Sequence, residues 1–333
     1  ELRGAAPEAV AVRLPGGALA GRRRVVFGVP ELVEGERYVL FLRDLGDGTW
    51  APTDLALGVY AVESAAGGAL AVRDFGAARV LARRQGRVER RSRRDVRRLR
   101  DLLASVRAGG AGYGEVREVE LPVRPRSPRA DFTFLTTPGA RWAQPDARQP
   151  IVYRLDADNA AATGLDGIAI ADAAVAAWSA VDCSAARTEL ALDPGVTPFM
   201  GCDGQSRIVF EDPFDEIDPP RHCSGMLGMG GYCTVAGGGE VGGVAFERIT
   251  EADVVMADGF HGCTLWSDAN LAESLAHEIG HTLGLGHSSQ RRVESDARLR
   301  EATMYFVAHH DGRGASLMED DRAGVCFLYP RPP

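Results

Sequence analysis

The chain has 333 residues, 45% hydrophobic and 25% charged side chains and a formal net charge of −8, values ordinary for a packed globular protein of one large or two modest domains. No apolar run approaches the roughly 20 residues needed to cross a bilayer, which excludes a transmembrane helix. All 38 basic residues are arginine, and the chain divides by charge: residues 1–130 hold 24 Arg against 16 acidic residues, the remainder 14 against 30. The two parts therefore attract each other.

The first 80 or so residues read as short strands, AVAVRL, RRVVFGV, ERYVLFLRD, GVYAVES and ALAVRDF, separated by PGG, GDG and AGG turns. A small all-β barrel or sandwich is expected over residues 1–82. A helix is predicted from about Ser92 to Val106, with Val96, Leu99, Leu102, Leu103 and Val106 at helical spacing. Its arginines, concentrated between Arg83 and Arg100, lack interleaved aromatics and so read as a solvated face or processing region rather than a nucleic-acid surface. AGGAGYG and the proline-punctuated LPVRPRSPR complete an Arg-rich helix and linker over 83–130.

From Asp131 to the end a second domain is expected. IVYRLD reads as a strand, and GIAIADAAVAAWSAV as a helix with an apolar stripe through Ile168, Ala171, Val175 and Trp178, the last packing in the core. Strands follow at RIVFED, GVAFER and ADVVMAD, and a helix begins near Asn270. Strands alternating with long helices give an α/β domain.

All six cysteines, Cys183, Cys202, Cys223, Cys233, Cys263 and Cys326, lie in this second part with no C-x-x-C pair, favouring disulfides and a secreted or cell-envelope protein. Cys223 with Cys233 across a short Gly-rich loop, and Cys263 with Cys326, are the expected pairs. The start at Glu1 is expected to reflect a signal peptide removed or omitted.

The decisive stretch is His277-Glu278-Ile279-Gly280-His281-Thr282-Leu283-Gly284-Leu285-Gly286-His287. Imidazoles four apart share one face of a helix, as H-E-x-x-H zinc binding requires. Gly284 can take a left-handed conformation that ends the helix and returns the chain, bringing His287 to the same metal. Three imidazoles leave a fourth position for water, whose pKa zinc lowers from 15.7 toward about 7. Glu278 is the expected general base and then acid in peptide-bond hydrolysis.

This stretch marks the metzincin clan of metallopeptidases, and further residues make the chain resemble a matrixin. Ser288 follows His287. Ala302-Thr303-Met304-Tyr305 resembles the Met-turn, whose methionine floors the metal, and Leu317 with Asp320-Asp321-Arg322-Ala323-Gly324-Val325-Cys326-Phe327-Leu328-Tyr329 is similar to the matrixin C-terminal helix. The Asn270-Leu271 pair also matches. The resemblance implies an α+β catalytic domain over 131–333, with a mixed twisted sheet, an active-site helix and a C-terminal helix. It implies a monomeric endopeptidase that binds protein or peptide substrates extended along an edge strand, for which Val244, Ala245 and Phe246 are candidates. Gly284, Met304, Tyr305, Asp320 and Asp321 would support the site.

The departures are as informative. No cysteine precedes Cys183, so a cysteine switch is not expected, and His222 and His261 lack the His-x-Asp pattern of a second, structural zinc; one zinc is predicted. Calcium would need oxygen ligands, for which Asp212, Asp215 and Asp218 are candidates, against a reading as a solvated acidic loop. His309 and His310 read as an exposed loop pair. Two readings of the N-terminal domain stay open, a prodomain docked by charge or a retained binding module. Beside the enzyme stands the alternative of a catalytically silent zinc-containing adhesion protein, against which the intact Glu278 weighs.

Overall fold

The computed structural model describes residues 9–26, 28–29, 32–53, 58–64, 68–74, 81–84, 87–90, 94–108, 132–136, 138–198, 201–217, 219–220, 223, 225–289 and 294–331. The proline-punctuated linker, Asp218 and His222 lie outside them.

The N-terminal part begins with β1 (Ala11–Val12), β2 (Gly17–Leu19) and β3 (Arg22–Val26), followed by β4 (Tyr38–Leu40), β5 (Leu42–Asp44), β6 (Thr49–Pro52), β7 (Val59–Glu63) and β8 (Leu70–Asp74). Then come β9 (Leu81–Arg84), β10 (Arg87–Arg90), β11 (Arg94–Arg98) and the helix α1 (Leu99–Arg107). The strands form a small sheet in the order β1-β6-β5, a hairpin β9-β10 and a four-stranded sheet β11-β8-β7-β4. The helix predicted from Ser92 starts seven residues later, at Leu99, because Arg94–Arg98 pairs antiparallel with β8 and places Val96 opposite Val72. Val96 thus serves a strand, and α1 buries Leu102 against Tyr60 and Ala71.

The C-terminal part continues with β12 (Ala140–Trp142), β13 (Ile151–Leu155), α2 (Ala157–Ala161), α3 (Gly167–Ser179), β14 (Thr188–Leu192) and β15 (Arg207–Val209). After these come β16 (Gly228–Val235), β17 (Glu240–Val241), β18 (Val244–Ala245), β19 (Glu247–Met256), α4 (Asp268–Thr282), α5 (Ala297–Glu301) and α6 (Glu319–Leu328). Their strands build a mixed sheet in the order β14-β13-β15-β19-β16, parallel except for β16, with β12 also on β19. β13 shows why this chain makes a covered strand: Ile151, Tyr153 and Leu155 are buried, while Val152 and Arg154 alternate outward. β19 is buried on both faces from Glu251 to Met256, as a central strand must be.

Two helices cover one face. Asp166 caps α3 by accepting the Ala169 amide, and Ile170, Ala171, Ala174, Val175 and Trp178 face inward. Ile168, expected on that stripe, is 36% exposed, since the buried face runs through Ile170 and Ala174. Trp178 is fully buried and its Nε1 donates to the Ala276 carbonyl of α4 at 3.0 Å. Among the described residues no helix is long and apolar enough to cross a membrane.

Three disulfides, Cys183–Cys326, Cys202–Cys233 and Cys223–Cys263, correct both expected pairs. The stretch between Cys223 and Cys233 is not a closed loop. It enters the eight-residue strand β16, which carries Cys233 away from Cys223 at about 3.4 Å per residue and toward Cys202. Cys183 ties the end of α3 to α6 and so takes the partner expected for Cys263.

One strand crosses the expected division of the chain. β3, expected in a small N-terminal barrel or sandwich, pairs antiparallel with β16, so that β16-β3-β2 extends the large sheet.

Candidate metal centre

Helix α4 is capped by Ser267, whose side chain accepts from the Asn270 amide, and is buried from Leu271 to Thr282. The buried span brings polar groups inside, and each has a use. His277 and His281 are one turn apart on the same face. Past the helix Gly284 has φ 100, and a Cβ there would strike the Ala140 carbonyl oxygen, so only glycine makes this turn. A Cβ on Gly286 would lie 2.5 Å from Thr133 Oγ1 and 2.7 Å from the Phe134 carbonyl oxygen, and Thr133 Oγ1 donates to the His287 carbonyl at 2.6 Å, which fixes the returning chain.

The turn delivers His287 to the other two imidazoles. His277 Nε2 is 3.1 Å from His287 Nε2 and 2.9 Å from His281 Nε2, and all three residues are buried. His277 Nδ1 lies 2.7 Å from the Thr303 carbonyl and His281 Nδ1 2.8 Å from the Leu285 carbonyl. A carbonyl can only accept, so both Nδ1 atoms carry the proton and both Nε2 atoms present lone pairs. Lone pairs converging at such distances repel one another unless a cation lies among them. His277, His281 and His287 could thus hold a metal ion, and their donor set is that of zinc.

Glu278 follows His277 and is buried, at 4% exposure. Gly228 and Gly230 of β16 lie against it: a Cβ on Gly228 would be 3.2 Å from Glu278 Cγ, and one on Gly230 2.6 Å from its carbonyl oxygen. The glycine-rich start of β16 is therefore what lets this strand lie against α4 at Glu278.

Beneath the imidazoles, Met304 packs its sulfur on α4 at Gly280 and is 1% exposed. Asp321 of α6 accepts the backbone amides of Thr303, Met304 and Met318, each at 2.8 Å. Burial pushes its carboxyl above the usual range, opposed by these amides. The Thr303 amide is thus held by Asp321 and its carbonyl by His277, a continuous link from α6 to the centre. Tyr305 and Phe306 are buried, with the Phe306 ring 6.3 Å from that of His287; Asp320 is buried beside Asp321. Ser288 donates its amide to the Met304 carbonyl at 2.9 Å and its hydroxyl to the Leu299 carbonyl at 2.7 Å.

Residues 228–330 match the family model described as Matrixin. That stretch, from β16 to the end of α6, is similar to matrixins. The match supports a zinc metallopeptidase in general, with proteins as the substrates that a peptidase implies. No curated protein matches the chain.

The other residues singled out in the sequence lie as follows. Val244 and Ala245 form a two-residue strand paired with Glu240–Val241, and Phe246 is buried with its ring 5.2 Å from that of Phe134. The strand that borders Glu278 is β16, whose glycines allow the approach. His309 is not an exposed loop residue: its side chain is 8% exposed, and its Nδ1 lies 2.8 Å from Glu273 Oε1. Asp212 accepts the Phe214 and Ile217 amides and so closes its own loop, Asp215 is exposed, and His261 pairs with Glu211 at 2.9 Å. Cys202, Cys233 and Glu251 also lie close together, but the two cysteines form a disulfide, which removes their thiolates as ligands.

Sequence reasoning passed over Glu273. It sits one turn before His277, is fully buried, and accepts the His309 and His310 amides at 2.8 and 3.1 Å as well as the His309 ring. A carboxylate on the same helical face as the two histidines of the H-E-x-x-H motif is the available signal.

Proposed function

We propose that the chain is a secreted, monomeric endopeptidase that holds one zinc ion on His277, His281 and His287 and uses Glu278 as its general base and acid. The observation that carries this reading is the convergence of three buried Nε2 atoms beside a buried glutamate, with two of the rings held in their tautomer by carbonyl acceptors. When bound, zinc supplies Lewis acidity and a water of lowered pKa.

The residues of the chain do the rest. The Thr303 and Leu285 carbonyls hold the Nδ1 protons of His277 and His281, orienting the rings and raising their basicity. Glu278 takes a proton from the attacking water on its carboxylate and returns it to the departing amide nitrogen. Burial excludes bulk water around Glu278 and strengthens its field at the reacting carbonyl. Met304, seated on Gly280, and Asp321, holding the Met304 amide, keep the floor of the centre in place. A β-rich N-terminal part, an Arg-rich connection and a peptidase domain from Asp131 belong to the same proposal, with β11 and α1 counted to the N-terminal part because they pack on β8 and Tyr60.

Metal analysis of the purified chain tests the site and casein cleavage tests the activity. One zinc per chain, lost on His281→Ala, with casein fragments that vanish under a zinc chelator, is the expected result. Zinc bound without any cleavage, by the unmodified chain and by Val25→Pro alike, would favour a catalytically silent zinc-containing binding protein.

A further inference from the structure

The outer edge of β16 is where an extended peptide would add a strand beside Glu278. That edge is occupied by this chain. β3 runs antiparallel to β16 with Val26 opposite Gly231, Val25 opposite Tyr232, Arg24 opposite Cys233 and Arg23 opposite Thr234. Three residues further toward the N-terminus of β16, Gly228 packs on Glu278, and β3 leads the chain in that direction. Beyond it Val29 packs on the apolar cluster that contains Met226, Leu227 and Met229.

The fit is specific to this pair of strands. A Cβ on Gly231 would lie 2.5 Å from the Val25 carbonyl oxygen and 3.1 Å from Val26 Cα, so β3 approaches to a distance that only glycine permits. Charge matches as well. Arg23 Nη1 is 3.9 Å from Glu247, and Arg24 shares a small cavity with Gly231, Cys233, Glu251 and Asp253. Burial lowers the Arg24 pKa, while the charges of Asp253, Glu216 and Glu251 hold it up. An arginine-rich strand is thus set against an acidic underside, the same opposition that divides the whole sequence by charge.

We propose that Arg22–Val26 is a built-in occupant of the peptide-docking edge, and that it holds the enzyme latent by strand addition, with Arg23 and Arg24 as its electrostatic latch. The docked strand rests on the pairing itself; only its effect on cleavage rests on the peptidase reading. An edge already paired cannot take a second strand, so substrate binds only in the fraction of molecules whose β3 has left.

The test uses the zinc-loaded full chain, unmodified, as the charge-reversed Arg23→Glu/Arg24→Glu variant, and as Val25→Pro, which removes a backbone donor from β3. Amide exchange across Gly231–Thr234 and casein cleavage are measured on all three. Faster exchange at those amides in the variants, with kcat/KM raised about tenfold or more, is the expected result. Unchanged exchange in both variants overturns the docked strand. Faster exchange with cleavage at the unmodified rate overturns latency. Faster exchange with no cleavage by any form sinks the peptidase reading, and latency with it, while the docked strand stands.

Discussion

The sulfur of Met304 occupies the space that a side chain on Gly280 would need, directly beneath the helix that carries His277 and His281. Trp178 closes the same space, with its ring 2.7 Å from the position of that missing Cβ. Gly280→Ala should therefore destabilise the fold by about 1–3 kcal/mol through overpacking, although alanine is the better helix former. Urea denaturation checks this, and a stability equal to or above that of the unmodified chain would mean that Met304 repacks freely.

Glu273 supports the wall of the centre from inside. Glu273→Ala takes the acceptor away from two amides and the His309 ring, and should cost about 3 kcal/mol or more. Glu273→Gln keeps an acceptor and should recover part of that. If the segment after Met304 shapes the substrate pocket, KM should rise more than kcat falls in the glutamine variant; equal losses would instead place Glu273 in the chemistry.

Burial pushes the Asp253 carboxyl up to about 7, against the pull of the Gly201 amide, and neighbouring Glu251 pushes it the same way. The folded-state pKa thus lies above the unfolded value, so the folded chain holds this proton more tightly. Its contribution favours folding at low pH and is lost as pH rises from about 4 through 7, amounting to a few kcal/mol at most. Asp253→Asn should flatten the fall in denaturation midpoint between pH 5 and pH 8. An unaltered pH profile in that variant would assign the dependence to other groups.

The Cys183–Cys326 bridge joins residues 143 apart and closes the longest loop of the three disulfides. Cys183→Ser/Cys326→Ser should lower stability by about 4–5 kcal/mol by chain entropy, with less on strain or residual structure. Calorimetry of the double variant measures it, and a loss near zero would mean that α6 is held by packing alone.

Much of this centre was legible because its signals are local. The three histidines, Glu278 and Gly284 lie within eleven consecutive residues, and helix geometry alone places the first two imidazoles together. Met304 and Asp321 were legible only through resemblance, since nothing in their spacing tells that one seats on Gly280 and the other holds its amide. The disulfides failed because pairing depends on where strands carry their cysteines: β16 takes Cys233 to Cys202, beyond what loop length can tell. α1 was placed too early because Val96 fits a helical period and a strand equally well, and only the partner strand β8 decides. The pairing of β3 with β16 joins residues about two hundred positions apart. No local pattern specifies such a partner, although the opposite charges of the two parts pointed toward contact.

The most direct measurement of the central claim compares the Glu278→Gln variant with the unmodified chain, each in the Val25→Pro background, for zinc content and for casein cleavage. The account predicts one zinc in both proteins and cleavage lowered by a factor of about 100 or more in the glutamine variant. Equal cleavage by the two proteins at equal zinc content would contradict the assignment of Glu278, and no chelator-sensitive cleavage by either would contradict the peptidase itself.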